Sequence, residues 1–389
     1  MVAARDKWCY KSRLLTLTYL VVMKKQSKKP VTLADIAARA DVTPMTVSRV
    51  INSSGYVHPE TRERVMSVAL EMNYRRNGLA RGLKRQCTET VGMVIGDIAN
   101  PFAAELTRGV REVLEERGYN LFICISEHTA KEDVRAFDSL ADHRVDGIIA
   151  ATRASKSGNE RLAELIDSGI PVSLIGRDFR HAHADLVSAD NLKGGYEATT
   201  HLIEIGHKRI GFIGISLTEG LRLRRFQGYI EALKDHGLSV EDRLIAGGRE
   251  AAEQMPGYST EEMGYDGMMK LLELKNRPTA VFARNDFTAM GALNAIKRAG
   301  LRIPEDIALI GYDDIPLAAH TSPALTTVRQ PTCEQGRAAA DFLLRRIDGD
   351  HEQPRIEKSF ACELVIREST VPATKVDSSK NRKRQIKSA

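Results

Sequence analysis

The segment DVTPMTVSRVIN, residues 41–52, places hydrogen-bonding groups where no core can use them. Thr43 suits a helix N-cap, and Pro44 then falls at the first helical position, where its missing N–H costs nothing. Val47, Val50 and Ile51 repeat at a spacing of three to four and mark the packed side. Met45, Ser48, Arg49 and Asn52 fall largely elsewhere around the wheel. A hydroxyl, a guanidinium and a carboxamide on one short helix can meet something outside the chain. Covalent chemistry has no visible equipment. Neither GxxxxGK[ST] nor a helix-opening GxGxxG occurs, and no His, Cys and Asp set has zinc spacing. The histidines are dispersed, and none accompanies a GxSxG nucleophile. The expectation is no enzyme, no cofactor and no metal.

The elements that must hold this helix read as a small all-helical head. VTLADIAARAD (31–41) puts Leu33, Ile36, Ala37 and Ala40 on one face, with Thr32 as N-cap. A short turn through Asp41 and Val42 leads to the Thr43 helix. NSSGYVHPETRERVMSVALEMNY (52–74) then supplies a Gly-containing loop and a third helix striped by Val65, Val68, Ala69 and Met72. Helix, short turn, helix and a supporting helix is the helix-turn-helix arrangement. RNGLARGLKRQ (76–86) is too short for a stable isolated helix and reads as a linker that becomes helical on binding.

From residue 90 the texture changes to α/β. Apolar runs at 90–98, 120–126, 147–152, 171–176, 209–215, 279–286 and 307–314 alternate with amphipathic helices, and a Gly repeatedly stops helix before strand, as in ERGYNLFI and EIGHKRIGFI. Buried strands joined by helical crossovers predict parallel sheets covered on both faces. So long a stretch suits two similar lobes. The expected domains are an extension at 1–30, the head at 31–76, the linker at 77–89, a two-lobed body at 90–370 and a basic disordered tail at 371–389.

Charge sharpens the division. The chain of 389 residues carries a net +6 overall. Residues 24–85 hold 13 Lys or Arg against 5 Asp or Glu, while residues 86–370 hold 34 against 44. An acidic body with a basic head is the asymmetry expected when one small domain meets a polyanion. The five cysteines are widely spaced without a CxxC pair, which suits a reducing cytoplasm. One segment pulls the other way. LLTLTYLVVM (14–23) follows four basic residues, like the start of a secreted chain. Ten residues are too few to span a bilayer and no small-residue cleavage site follows, so Met23 reads as the working start. A membrane partner is not expected.

In this order, head, linker and two-lobed body resemble the LacI/GalR family of bacterial transcription regulators. The resemblance covers roughly residues 31–370 and rests on VTLADIAARADVTPMTVSRVIN, TRERV and MNY in the head. In the body it rests on NPF at 100–102, GH at 206–207, Arg225 in RxxGY, NDFTAMGAL at 285–293 and IPEDIALIGYDD with SPALTTVRQP to residue 331. It implies that the Thr43 helix lies in a major groove. Pro44, Met45 and Arg49 match base-reading positions, and Thr32, Thr46, Ser48, Asn52 and Tyr56 match backbone-contacting or neighbouring ones. Arg49 can pair bidentately with guanine, whereas Pro44 and Met45 offer only apolar contact. In the linker, Leu83 matches a leucine wedged into the minor groove, with Lys84 beside it. Arg62, Arg64, Arg75 and Arg76 read as backbone clamps or solvated charges.

The body resembles periplasmic sugar-binding proteins, which implies an effector cleft between lobes, beyond the carboxyl ends of the strands. Asn100, Phe102, Arg225, Asn285 and Asp286 are the implied contacts, with Asp190 and Tyr258 as weaker ones. The Arg-rich LTEGLRLRR (217–225) suggests an acidic group on the effector, such as a sugar acid or phosphate. The resemblance implies a homodimer through body helices such as 101–118, a near-palindromic operator, and a repressor controlled by a sugar or sugar derivative. Co-repression suits the same architecture. A solute-binding receptor is the alternative, favoured by the apolar start and opposed by the basic head.

Overall fold

The computed structural model of the protein describes residues 31–74, 87–127, 129–215, 223–247, 260–350 and 353–371. The expectations for the N-terminal extension, for Leu83 and Lys84, for Arg75 and Arg76, for Tyr258 and for the tail beyond residue 371 lie outside these residues. The chain divides into two compact units, the first holding residues 31–74 and the second the remaining described residues.

The first unit is three helices: α1 (Leu33–Ala40), α2 (Pro44–Ile51) and α3 (Pro59–Glu71). α1 opens on a reciprocal capping box. The Thr32 Oγ1 accepts from the Asp35 amide at 3.3 Å, and the Asp35 carboxylate accepts from the Thr32 amide at 2.8 Å. It closes on Asp41 at φ 51°, a left-handed conformation that Asp tolerates and that turns the chain towards α2. The Thr43 Oγ1 then accepts from the Thr46 amide at 3.2 Å. Ile36, Val47 and Val65, one from each helix, are completely buried and form the centre of the core. Arg64 donates to the Ala40 carbonyl at 3.0 Å, so it ties α3 to the end of α1 and is a structural clasp.

The second unit contains two parallel sheets. In the first lobe the strands are β1 (Thr90–Ile95), β2 (Asn120–Ile125), β3 (Gly147–Ala151), β4 (Val172–Ile175) and β5 (Ala184–Ala189), with β11 (Glu357–Phe360) on the edge. Their order is β11-β5-β4-β3-β1-β2. In the second lobe β6 (Ile210–Ile213), β7 (Ile245–Ala246), β8 (Ala280–Ala283) and β9 (Ala308–Ile310) run in the order β7-β6-β8-β9. Every pair within these two sheets is parallel. The expected apolar runs match β1 to β4, β6, β8 and β9. β5, β7 and β11 were not legible, because β7 is two residues long and β11 is a polar, exposed edge strand.

The chain passes between the lobes three times. It leaves β5 for α7 (Asn191–Glu204), and it returns from β10 (Thr327–Arg329) into α11 (Thr332–Ile347). After β11 it crosses again to β12 (Glu363–Val365), which pairs antiparallel with β10. The helices between are α4 (Pro101–Glu116), α5 (Ala130–Asp142), α6 (Lys156–Asp167), α8 (Arg224–Asp235), α9 (Thr260–Leu272) and α10 (Asp286–Arg298).

Three helix pairs are locked backbone to backbone by glycine, α4 with α11, α7 with α8 and α9 with α10, and all three carry residues of the cleft. A Cβ on Gly336 of α11 would collide with the Leu106 carbonyl of α4, and one on Gly109 of α4 with the Cys333 carbonyl. Likewise a Cβ on Gly195 of α7 would strike the Arg225 carbonyl, and one on Gly228 of α8 the Leu192 carbonyl. Close-packed interiors leave no room for such an atom.

Candidate functional site

On the first unit the packed and unpacked sides of α2 separate as the spacing predicts. Val47, Val50 and Ile51 are buried, while Met45 is 65% exposed and Pro44 and Arg49 are exposed. Asn52 Nδ2 donates to the Ser48 Oγ at 3.2 Å, so these two form one polar unit on the last turn. Thr46 is half-buried, its hydroxyl 3.0 Å from that of Thr43. Tyr56 stands 84% exposed in the following loop. Thr32, at the start of α1, is exposed and capped by Asp35. A proline ring and a thioether thus stand exposed on the first turn of one helix and a guanidinium on its last, with hydrogen-bonding groups at its flanks.

In the second unit a cavity of about 230 Å³ lies between the lobes, where the strands of both sheets end. Asp97 and Asn100 follow β1, Thr152 and Arg153 follow β3, Gly176 follows β4, and Asn191 follows β5. Arg284 and Asn285 follow β8, and Asp313 follows β9. Of the sequence-predicted contacts, Asn100, Phe102, Arg225 and Asn285 all line it. Asn100 caps α4 by accepting from the Phe102 amide at 3.0 Å. Asn285 caps α10, accepting from the Thr288 amide at 2.9 Å and its hydroxyl at 2.7 Å.

Asp286 and Asp190 are placed differently. Asp286 is completely buried and is absent from the cavity wall. Its two oxygens accept from the Thr327 hydroxyl at 2.6 Å and the Ile315 amide at 2.9 Å. Burial, with Asp313 nearby, pushes its carboxyl well above the usual range. It is an internal tie between α10 and the loop after β9. Asp190 caps α7 through the Lys193 amide at 3.1 Å, and its neighbour Asn191 takes the place on the wall. Of the arginines at 217–225, Arg224 is exposed and Arg222 lies outside the described residues. Arg225 lines the cleft, and Arg153 and Arg284 join it there.

Arg225 is held from several sides. Its guanidinium stacks 3.8 Å from the centre of the Tyr312 ring. It donates to the Arg284 carbonyl at 2.6 Å and to the Asn191 Oδ1 at 3.1 Å, and lies 3.6 Å from the Asp313 carboxylate. Asp313 also accepts from the Gln330 Nε2 at 2.7 Å. Burial raises the Asp313 carboxyl to about 6, against the opposing pull of Arg225, the Gln330 hydrogen bond and Arg284. Beneath the first-lobe wall the buried Arg177 pairs with Asp133 at 3.0 Å and donates to the Arg153 carbonyl at 2.9 Å. Sequence reasoning missed Asp313, Gln330, Arg153, Arg284, Asn191 and Gln335 on this wall. For Asp313 and Gln330 the signal existed, since GYDD and TTVRQP stand where a strand ends.

The two units match known proteins in the same order along the chain. Residues 32–77 match the family described as bacterial regulatory proteins, lacI family, and residues 199–370 match a periplasmic binding protein-like domain. The HTH-type transcriptional repressor PurR of Pasteurella multocida is 35% identical over 339 residues, 87% of this chain and 98% of that protein. The ribose operon repressor of Haemophilus influenzae is 37% identical over 326 residues, 83% of this chain and 94% of that one. Among solved structures, the lac repressor dimer bound to operator and the anti-inducer ONPF superposes with a TM-score of 0.74 at 26% identity, covering 88% of this chain and 99% of that one. Among the described residues no helix is long and apolar enough to cross a membrane. A three-helix head between basic flanking segments, followed by a two-lobed body with a cleft and aligned end to end with such repressors, makes the chain a DNA-binding transcriptional regulator that belongs to the LacI family.

Proposed function

We propose that this regulator is a repressor that grips a near-palindromic operator as a homodimer, and that a small oxygen-rich effector between the lobes sets the grip. The carrying observation is the cavity itself. It is walled by residues from the strand ends of both sheets, so an occupant that touches both lobes favours one lobe arrangement over others. About 230 Å³ is below the range usual for drug-sized ligands, which suits a compact sugar or sugar derivative. Polar side chains alternate with apolar ones such as Ile95, Leu106, Ile175 and Leu223 on the wall, and Phe102 offers an aromatic face. The name of the ribose operon repressor points towards a carbohydrate.

On the head, Arg49 is the assigned reader of a guanine, with Pro44 and Met45 in apolar contact. Thr32, Thr46, Ser48, Asn52 and Tyr56 are assigned to the phosphates and the groove edge. A second copy of the chain is the assigned partner of the body. The edge strand β2 exposes Phe122, Ile123 and Ile125, an apolar surface that an edge strand does not leave to water without reason. The lac repressor structure named above is a dimer.

Fluorescence anisotropy with a labelled inverted-repeat duplex tests this reading. The full chain should prefer the repeat over a scrambled duplex by about a thousandfold or more. The affinity should fall steeply with salt. A carbohydrate panel should contain a member that shifts it. Equal affinity for repeat and scrambled duplex under every condition would end the proposal.

A further inference from the structure

The hydrogen-bonding inventory of the cleft is unbalanced, and the imbalance specifies the ligand. A backbone N–H can only donate, so the side-chain atoms of Asn100 and Asn285 that receive the Phe102 and Thr288 amides are oxygens. The Asn191 atom that receives the Arg225 guanidinium is an oxygen for the same reason. Each of these three carboxamides therefore has its oxygen engaged within the fold and keeps an NH2 group that no hydrogen bond among the described residues uses. Two further donors are buried without a partner among the described residues, the Arg225 Nε and the Gln335 Nε2.

Acceptors are scarcer. One oxygen of Asp97 takes the Ala99 amide at 2.8 Å, and one of Asp313 takes Gln330 and faces Arg225. Asp286 is turned away and fully bonded elsewhere. The wall carries three guanidinium groups against two carboxylates. A neutral polyol brings as many protons as oxygens, and its hydroxyl protons would have to share the second oxygens of these two carboxylates and the side-chain oxygens of Gln330 and Gln335. An oxyanion only accepts.

Gln335 is the sharpest of these donors. It lies in the first turn of α11 and is 2% exposed, on a wall it shares with Arg225. The next residue, Gly336, abuts the Leu106 carbonyl, so the helix has no room to carry the carboxamide away from the cavity. Buried polar nitrogens in native proteins have partners, and no atom of the described residues serves this one.

We infer that the effector carries a carboxylate or phosphate group bound between Gln335 of the first lobe and Arg225 of the second, and that Gln335 selects for that group. The inference rests on the effector reading of the cleft given above. Holding one anion from both lobes gives the ligand a direct means of fixing their separation.

Isothermal titration of the full chain with matched sets tests it: an aldose, its aldonic acid and its terminal phosphate, for ribose and for glucose. In at least one set the acid or the phosphate should bind about tenfold or more tightly than the neutral sugar. Whichever of the two binds identifies the anion. Gln335→Leu should weaken that anionic member about tenfold, and Gln335→Glu about a hundredfold, with the neutral sugar changing less than about threefold. Thermal unfolding of each variant reports that it is folded. Neutral sugars that bind as tightly as both anions, and that shift operator affinity, would overturn the anionic effector while leaving the carbohydrate reading intact. Equal losses for neutral and anionic members in Gln335→Glu would overturn the role of Gln335. Failure of every member to bind or to alter operator affinity would remove the carbohydrate reading, and this inference with it.

Discussion

Asp313 gives the chain a built-in dependence on pH that can be worked out from its surroundings. The side chain is buried between the lobes, and its carboxyl is raised from 3.8 to about 6 despite Arg225 and Gln330. A carboxyl that holds its proton more tightly when folded favours the folded state at low pH. Its contribution is complete below about pH 4 and is lost as pH rises through about 6. A shift of roughly 2 units at about 1.4 kcal/mol per unit makes the loss ~3 kcal/mol. Asp313→Asn removes this titration and leaves the shape nearly unchanged. Urea unfolding of both proteins without effector, from about pH 4 to about pH 8, reads the effect as a difference in which titrating groups remote from Asp313 cancel; Asp286, whose carboxyl Asp313 also raises, is removed from the comparison by repeating it in an Asp286→Asn background. The stability of Asp313→Asn relative to the parent should climb by ~3 kcal/mol across that range, whatever constant offset the substitution brings. Adding Arg225→Gln to the parent should move the parent's transition to higher pH, because the opposing charge is gone. A difference that stays flat, or that slopes the other way, would refute a proton-holding Asp313.

Three further outcomes are expected. Arg49→Ala should cost ~1–3 kcal/mol in operator affinity and relax preference at one base pair in each half-site, measured by anisotropy on single-base variants; uniform weakening across all sequences would instead make Arg49 a phosphate contact. Gly195→Ala should destabilise the body by ~1–3 kcal/mol in urea, because the added methyl meets the Arg225 carbonyl, and should also weaken effector binding. Asp286→Asn should cost less than ~1.5 kcal/mol, since the parent carboxyl is held neutral and its partners can be kept. Asp286→Leu should cost ~2–5 kcal/mol by orphaning the Ile315 amide and the Thr327 hydroxyl; a weak effect in Asp286→Leu would show that this tie does not matter.

Much of the head was legible in the chain. The burial of Val47 and Val50 against the exposure of Met45 and Arg49 follows from helical spacing alone, because side chains three and four apart must share a face. The caps at Thr32 and Thr43 are local chemistry, fixed within one turn by a hydroxyl and a neighbouring amide. The alternation of apolar runs and helices in the body is equally local. Parallel strands buried on both faces are mostly apolar, so the order of β1 to β4, β6, β8 and β9 along the chain and the places where they end could be read directly, whereas β5, with the buried Asp185 inside it, could not.

What the chain could not disclose is which residue at each strand end looks into the cavity. Asn285 and Asp286 are adjacent and both suit a sugar, yet only Asn285 lines the cleft. Asp190 and Asn191 differ in the same way. One residue along a helix is a rotation of about 100°, enough to turn a side chain from cavity to interior. That angle depends on how the helix packs, and the packing is set by distant glycines such as Gly195 and Gly336 meeting the carbonyls of partner helices. Gln335 lies on a helix that crosses back to the first lobe after the second has been built. Sequence alone therefore determined the head, the exposed face of α2 and the two-lobed plan, because each rests on contacts within a few residues. The polarity of the cleft was decided by tertiary structure, because it is assembled from strand ends and helix starts that only the folded lobes bring together.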